Sequence, residues 1–542
     1  MIRLQIYKVI FMLGVIGYTA SVCAGGESTQ PGFILPAVPE PSPESPIDQR
    51  TLFIQHIVLE GNTLFPAQNL RSIVQPYEGR VVSVTELEKL RQQLVHYYID
   101  HGYVNSGVVL PNGALHDGEL HFQVIEGRMD NIQLKGMERL REGYVKNRLW
   151  SDPNKPFRLQ ELQENFQVLL SDPLISTMKG SILPGDTPGH CIFDVEVGRA
   201  TPYQLHLFAN NHRPPSVGSD GYGFTGLVQN ITGLGDQINF TLIDSKGTNE
   251  YTGEISVPIT DANTTLFVRF DEGDSSIIEE PLQTLAIKST VNNVEGGIRY
   301  PVVRTLDREL ALGFSLALLE NKTTLLGQPF SFVPGNTSGN TQASVLQLFQ
   351  EYTQRWDNTA LSLHSSLHMG MDAWGATVAT APQYPGGRFL SWVGQAQVAH
   401  KLSEQGTQWL ARSTVQWSDS PLLPQERMAV GGFSTVRGYR ENQLVRDQGY
   451  TFSMELHYPL FGGTDPNEKQ HLTMIPFVDY GRAWNHKDTA TTLSSVGLGF
   501  DWQFKRLHAE LYYGYALKSK EPQPHRDLQD KGIHFQVRMD LL

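Results

Sequence analysis

The residue types that could do chemistry are sparse and mostly in the wrong setting. Ser434 could serve as a nucleophile, but it lacks the full pair of flanking glycines of a nucleophile elbow. His364 and His368 stand four apart, a spacing that aims two metal ligands from one helix face. They lie instead in a run where Leu361, Leu363, Leu367 and Met369 alternate with Ser362, His364, Ser366 and His368. On a strand both histidines share the polar face, with no further ligands in view. Gly221-Tyr222-Gly223-Phe224-Thr225-Gly226 matches the G-x-G-x-x-G pattern of dinucleotide sites, but no βαβ unit follows, and the run is expected to be a hairpin turn. The two cysteines are Cys23 and Cys191, too few for a Cys-rich metal centre. No catalytic residues, metal or cofactor are expected. What remains is an acid and a base in unusual surroundings. Asp479 sits in Phe477-Val478-Asp479-Tyr480-Gly481, where a strand puts Phe477, Asp479 and Gly481 on one face and Val478 and Tyr480 on the other. Arg437 sits in Ala429-Val430-Gly431-Gly432-Phe433-Ser434-Thr435-Val436-Arg437-Gly438-Tyr439, a glycine-rich stretch whose turns can dip inward.

The element that must carry Asp479 is a strand of a large sheet. From about residue 199 the sequence keeps a period of two. Val496, Leu498, Phe500, Trp502 and Phe504 alternate with Gly497, Gly499, Asp501 and Gln503, and Ile533, Phe535, Val537 and Met539 with His534, Gln536, Arg538 and Asp540. An ordinary sheet with one wet face shows the same alternation. Three features favour a membrane barrel. No helical stretch interrupts the pattern, aromatics recur near strand ends, and the polar face is rich in Gly and Ser. Lipid outside and water inside demand that arrangement. At roughly 20 residues per strand with its connection, residues 199–542 hold about 16 strands. Asp479 then faces the lumen, where a carboxylate needs a partner or water. Charged residues are 18% of the chain, with 50 Gly and 31 Pro. The net charge of −13 argues against a nucleic-acid partner, which would need a basic face.

Four further segments precede the barrel. Residues 1–24 form a secretory signal, with Arg3 and Lys8 ahead of an apolar stretch and cleavage after Val22-Cys23-Ala24. Residues 25–50 are a Pro-rich linker, extended and without an amphipathic helix. Residues 51–127 form a small α/β module. Its strands are Phe53 to Leu59, Ser106 to Leu110 and Glu119 to Ile125. Its helix starts at the capping box Ser83-Val84-Thr85-Glu86, presents Leu87, Leu90, Leu94 and Tyr97, and stops at Gly102. Residues 128–198 repeat that order, with a helix face of Leu159, Leu162, Phe166 and Leu169 and a hairpin turn at Pro184–Gly189.

At this point the chain resembles a known family. Val436-Arg437-Gly438-Tyr439 is similar to the VRGY signature of two-partner secretion transporters, the TpsB-like branch (ShlB/FhaC/HecB type) of the Omp85 superfamily. Phe477-Val478-Asp479-Tyr480-Gly481 resembles its companion F-x-D-x-G strand. His101-Gly102-Tyr103-Val104-Asn105-Ser106 and Gln123-Val124-Ile125-Glu126-Gly127 resemble the family's first POTRA domain, and Leu183-Pro184-Gly185-Asp186-Thr187-Pro188-Gly189 its second. The resemblance implies a transmembrane antiparallel β-barrel preceded by two POTRA-like domains. It implies that the loop bearing Arg437 folds into the pore and pairs with Asp479. Gly438 would allow the tight turn and Tyr439 would pack on the barrel wall. It further implies an outer-membrane location with periplasmic POTRA domains that bind the N-terminal secretion domain of a large secreted TpsA-like partner, an adhesin or haemolysin type of cargo. Outer-membrane lipid and the barrel-assembly machinery would be the other partners.

Two departures from the family pattern stand out. The linker offers no plug helix, and the last strand ends in Leu542, neither aromatic nor in phase with Ile533, Phe535, Val537 and Met539. The rival readings are an Omp85-type factor that assembles other barrels, which usually carries more POTRA units, and a barrel-anchored hydrolase, which lacks a triad here.

Overall fold

The computed structural model describes residues 33–34, 51–462, 470–518 and 527–542. The expected signal and nearly all of the linker, with its lack of a plug helix, lie outside the described residues. The chain divides into two compact units, Ser28–Ala200 and a second containing Thr201–Leu542.

The first unit begins with β1 (Phe33–Ile34), followed by β2 (Thr51–Ile54), β3 (His56–Glu60), α1 (Ala67–Val74), β4 (Arg80–Ser83), α2 (Val84–Asp100), β5 (Gly107–Val109), β6 (Leu115–His116) and β7 (Glu119–Ile125). The single strand expected over Phe53 to Leu59 is broken at Gln55. The Gln55 and His56 N–H groups both turn to the Gly118 carbonyl, so β2 pairs with β4 while β3 runs parallel to β7. Ser83 and Glu86 close the capping box of α2 in both directions. The buried face of that helix is Leu87, Leu90, Leu94 and Tyr98 rather than Tyr97. A step of four from Leu94 keeps the stripe on the core side, and Tyr97 packs edge-on against Phe65 instead.

The second module holds β8 (Arg128–Lys135), α3 (Glu142–Leu149), α4 (Leu159–Leu170), β9 (Ile175–Pro184) and β10 (His190–Arg199). Here β10 runs parallel to β8 and antiparallel to β9. Leu162, Phe166 and Leu169 of α4 pack on Phe193 and Val195, the centre of a core separate from that of the first module. The helices α1 and α3 were not apparent in the sequence pattern. The modules are joined by backbone bonds, Phe157 N–H to Gly127 O and Leu159 N–H to Gly102 O, and by Asn105, whose amide donates to Gly189 O. On the outer edge of β9, β1 adds a parallel strand opposite Gly180 and Ser181.

The second unit is a closed antiparallel barrel of 16 strands. Its first strand, Tyr203–Asn210, pairs with its last, Ile533–Asp540. The two-residue period separates its faces throughout. On the seventh strand, Arg308–Leu325, Leu312, Phe314 and Leu318 are exposed outward while Ala311, Ser315 and Ala317 are buried. No described helix is long and apolar enough to cross a membrane. The G-x-G-x-x-G run is not a hairpin turn. It lies within the second strand, Gly221–Gln229, where Gly226 sits beneath the ring of its partner Phe240. In a barrel wall such a glycine makes room for a neighbouring aromatic rather than a bend.

The eleventh strand, Gln408–Ser418, and the twelfth, Gln448–Phe461, are joined by a long loop that folds into the lumen. A short ribbon, Met428–Val430 against Leu444–Arg446, stiffens it. Its root is pinned by Glu426 to His368 at 2.8 Å and by the Gln425 amide to the Thr341 hydroxyl at 2.9 Å. His364 lies elsewhere on the same inward face, 3.8 Å from Glu351, and no metal-ligand group occurs among the described residues.

Candidate functional site, a loop clasped to the lumen wall

The thirteenth strand, Gln470–Trp484, supplies the wall of the site. Period two turns Phe477, Asp479 and Gly481 inward, and all three are buried, while Val478 is exposed to the lipid side. Each inward residue meets the infolded loop in a different way. Asp479 is fully buried and takes Arg437 in a fork, with Nη2 to Oδ1 at 2.7 Å and Nε to Oδ2 at 2.9 Å. The Arg437 backbone N–H adds a third bond to Oδ2 at 3.0 Å. Bidentate ionic pairing of this kind fixes orientation as well as distance. Phe477 lies flat beneath the guanidinium, 3.6 Å from its carbon to the ring centre, a cation–π contact. Gly481 leaves the space that Val430 and Val436 fill, because a Cβ there would stand 2.4 Å and 2.8 Å from their methyl groups.

The loop side is equally specific. Gly438 has φ +93°, a backbone region that a side chain disfavours, and its N–H donates to His534 Nε2 at 3.3 Å. Its backbone rests on that of Gly514, so that a Cβ on Gly438 would lie 2.7 Å from the Gly514 oxygen. Tyr439 is buried with Met428, Val430, Val436, Ala483 and Leu493, and its hydroxyl donates to Ser494 O at 3.1 Å.

Sequence reasoning singled out Arg437, Asp479, Val436, Gly438, Tyr439, Phe477 and Gly481, and the structure gathers all seven. It also brings in residues that the reasoning missed. Glu455 accepts from Arg437 Nη1 at 2.7 Å, from the guanidinium of Arg412, and bonds His457 Nε2 at 2.9 Å. Ser453 accepts from Arg437 Nη2 and donates to Asp479 Oδ1. The available signal was the inward set Ser453, Glu455 and His457 on the twelfth strand, which pairs with the Asp479 strand in register Ser453 to Asp479. Phe433 stacks on His212 at 3.9 Å and meets Tyr512 edge-on. Two arginines therefore balance two carboxylates in a buried cluster. Its groups face one another rather than an open cleft, so the arrangement holds a loop in place.

Residues 189–503 match the family described as haemolysin secretion/activation protein ShlB/FhaC/HecB, and residues 52–127 match the POTRA domain, ShlB-type. The chain is similar to the outer membrane transporter CdiB of Dickeya dadantii (strain 3937), 21% identical over 82% of this chain and 78% of that one. It is similar to the heme/hemopexin transporter protein HuxB of Haemophilus influenzae (strain 86-028NP), 20% identical over 79% and 75%. The solved structure of CdiB from Escherichia coli shares its fold, with a TM-score of 0.71 at 19% identity over 99% of this chain and 97% of that one. With more than half of its length matched by the family, this chain belongs to the haemolysin secretion/activation proteins of the ShlB/FhaC/HecB type.

Proposed function

We propose that the chain is the outer-membrane pore of a two-partner secretion system, exporting one large secreted protein from periplasm to cell surface. The observation that carries this reading is the infolded loop, clasped by Arg437 to Asp479 inside a closed barrel. A pore filled by a loop on a releasable ionic fastening suits intermittent passage of a chain, not free diffusion of small solutes. The relative named as an outer membrane transporter, and the one named as a heme/hemopexin transporter protein, support the same class. The POTRA modules face the periplasm and bind the N-terminal secretion domain of the cargo. An exposed sheet edge captures an extended segment by adding it as a strand, and β9 already accepts β1 in that way. Folding of the cargo outside drives the process by preventing return, without a nucleotide. Outer-membrane lipid surrounds the barrel, and the general barrel-assembly machinery inserts it.

The test is removal of the gene, with the candidate partner expressed from a separate plasmid. Loss of that one protein from the medium, with other barrels at normal levels, is expected. An unchanged set of secreted proteins sinks the reading. A general loss of outer-membrane barrels would instead favour an assembly factor.

A further inference from the structure

The infolded loop carries a second arginine, Arg440, three residues beyond the first. Its carboxylate partners lie in connections between strands. Its Nε and Nη2 fork onto Asp530, at 2.6 Å and 2.8 Å, and its Nη1 and Nη2 reach Glu279, at 3.0 Å and 2.9 Å. Asp530 lies between the fifteenth strand, Leu507–Ala516, and the sixteenth. Glu279 lies between the fifth strand, Thr265–Ser276, and the sixth, Lys288–Arg304. In an antiparallel barrel, connections that follow odd-numbered strands all emerge at one end. The infolded loop follows the eleventh strand, so Arg440 joins three connections of the same mouth.

The neighbouring residue extends this joint to a fourth. Glu441 N–H donates to the side-chain oxygen of Gln529 at 2.8 Å. The amide of the fully buried Gln529 donates in turn to the carbonyls of Asn211 and Arg213, in the connection after the first strand.

We propose that Arg440, with Asp530 and Glu279, is a latch that closes the surface mouth, separate from the Arg437 clasp and released before it. Burial separates the two fastenings. The side chains of Arg440, Asp530 and Glu279 are 12%, 16% and 17% exposed, whereas Arg437 and Asp479 are 2% and 0% exposed. Water and salt reach the first set and weaken it, while breaking the second strands a charge away from water. Arg440 is thus a positioning residue for the surface connections. Its ionic contacts must open for cargo to emerge, and their loss leaves the Asp479 contacts intact.

The latch rests on the secretion reading only for its purpose, because pore conductance needs no cargo. Purified full-length protein is measured in planar bilayers as wild type, Arg440→Gln, Asp530→Asn and Glu279→Gln. Barrel folding is checked by the heat-dependent shift in gel mobility, and partner secretion is followed in cells. Arg440→Gln is expected to raise the open fraction about five- to tenfold at low salt, with the gap narrowing at high salt. Secretion should persist in Arg440→Gln and be lost in Arg437→Gln. Unchanged conductance in all three latch variants overturns the proposal. So does failure of all three to fold, which would make the cluster an assembly element. Loss of secretion in Arg440→Gln with a closed pore also overturns it, since Arg440 would then act as part of the clasp. Raised conductance without any secreted partner would leave the latch standing and remove the transport reading.

Discussion

Replacing Asp479 by asparagine tests the clasp with the smallest change in shape. In the native site Oδ1 accepts from Arg437 Nη2 and Ser453 Oγ, both at 2.7 Å, and Oδ2 accepts from the Arg437 backbone N–H at 3.0 Å and Nε at 2.9 Å. An asparagine keeps one oxygen. With the amide nitrogen at the Oδ2 position two of the four bonds become donor against donor, and at the Oδ1 position the Arg437 Nη2 bond does while the Ser453 hydroxyl turns to accept; in both cases the guanidinium loses one of its two counter-charges. Losing one partner of a buried ion pair costs about 3–5 kcal/mol. Glu455 still holds Nη1 at 2.7 Å, which argues for the lower end, about 3 kcal/mol. At about 1.4 kcal/mol per factor of ten, the ratio of docked to undocked loop falls about a hundredfold. The assay is the export rate of the secreted partner from whole cells, normalised to folded barrel, together with protease cleavage of the loop in purified protein. Export should fall steeply and cleavage should rise. A double mutant with Arg437→Gln should be little worse than either single change, because both remove the same interaction. Tyr480→Leu, on the opposite face of the strand, is the control and should export normally. Native export by Asp479→Asn at native barrel levels would refute the reasoning, since a buried fork cannot lose half its acceptors unnoticed if the loop position matters.

The remaining predictions concern backbone space, capping and thiol chemistry. Gly438→Ala forces a Cβ to within 2.7 Å of the Gly514 oxygen at φ +93°, so loop docking and export should suffer as much as in Asp479→Asn, with the barrel still folded on gels. Ser83→Ala removes the N-cap of α2 and should cost the first unit about 1 kcal/mol, read as a lower denaturation midpoint. In the same box the Ser83 N–H and Arg80 hold the Glu86 carboxyl down at about 2. Its contribution is therefore full above the ordinary carboxyl range and lost as pH falls toward 2, so Glu86→Gln and wild type should converge in acid. Burial pushes the Cys191 thiol up to about 12. Native protein at pH 8 should resist alkylation that the unfolded chain undergoes readily, and rapid native labelling would contradict the closed joint around Asn105 and Gly189.

The barrel was legible because lipid and water impose opposite chemistry on the two faces of every strand. That signal survives without knowledge of which strands are neighbours. The first POTRA module was legible at Ser83 and Glu86, where the cap is a local contact. Partners across the barrel leave no such trace. Glu455 is one inward polar residue among many, and only the register of the twelfth strand on the thirteenth makes it a neighbour of Asp479. Gly514 and Gly532 look like ordinary strand and turn glycines, yet they lie against Gly438, and a Cβ on Gly532 would meet the Gly514 oxygen at 2.0 Å. Arg440 and Asp530 are 90 residues apart and meet only because the mouth collects its connections. The G-x-G-x-x-G run was misread for a related reason. Glycine in soluble proteins marks turns, but in a barrel wall it also clears space under rings such as Phe240. The shift from Tyr97 to Tyr98 was a matter of one step, four residues instead of three, which the helix period permits and only the core decides.

The two carboxylates of the clasp are not equivalent, and the difference bears on how the loop can leave and return. When Arg437 withdraws, Glu455 still has Arg412 and His457, both held independently of the loop. Among the described residues, Asp479 retains only the Ser453 hydroxyl. The wall is thus prepared for the open state at Glu455 and unprepared at Asp479, which must take up lumen water to offset the lost fork. Water can fill an open lumen, so this cost is smaller than that of leaving a charge in a dry core, and a few kcal/mol is enough to favour docking without making release prohibitive. On the proposed secretion reading, cargo that occupies the lumen would supply that difference by its own contacts with the wall. On the secretion reading, Asp479 is a strongly under-satisfied carboxylate on the wall once the cargo has passed, and Arg437 is the loop cation that fits it. On that reading the return of the loop would be driven from Asp479, while Glu455 would chiefly steady the charge balance on either side of the event.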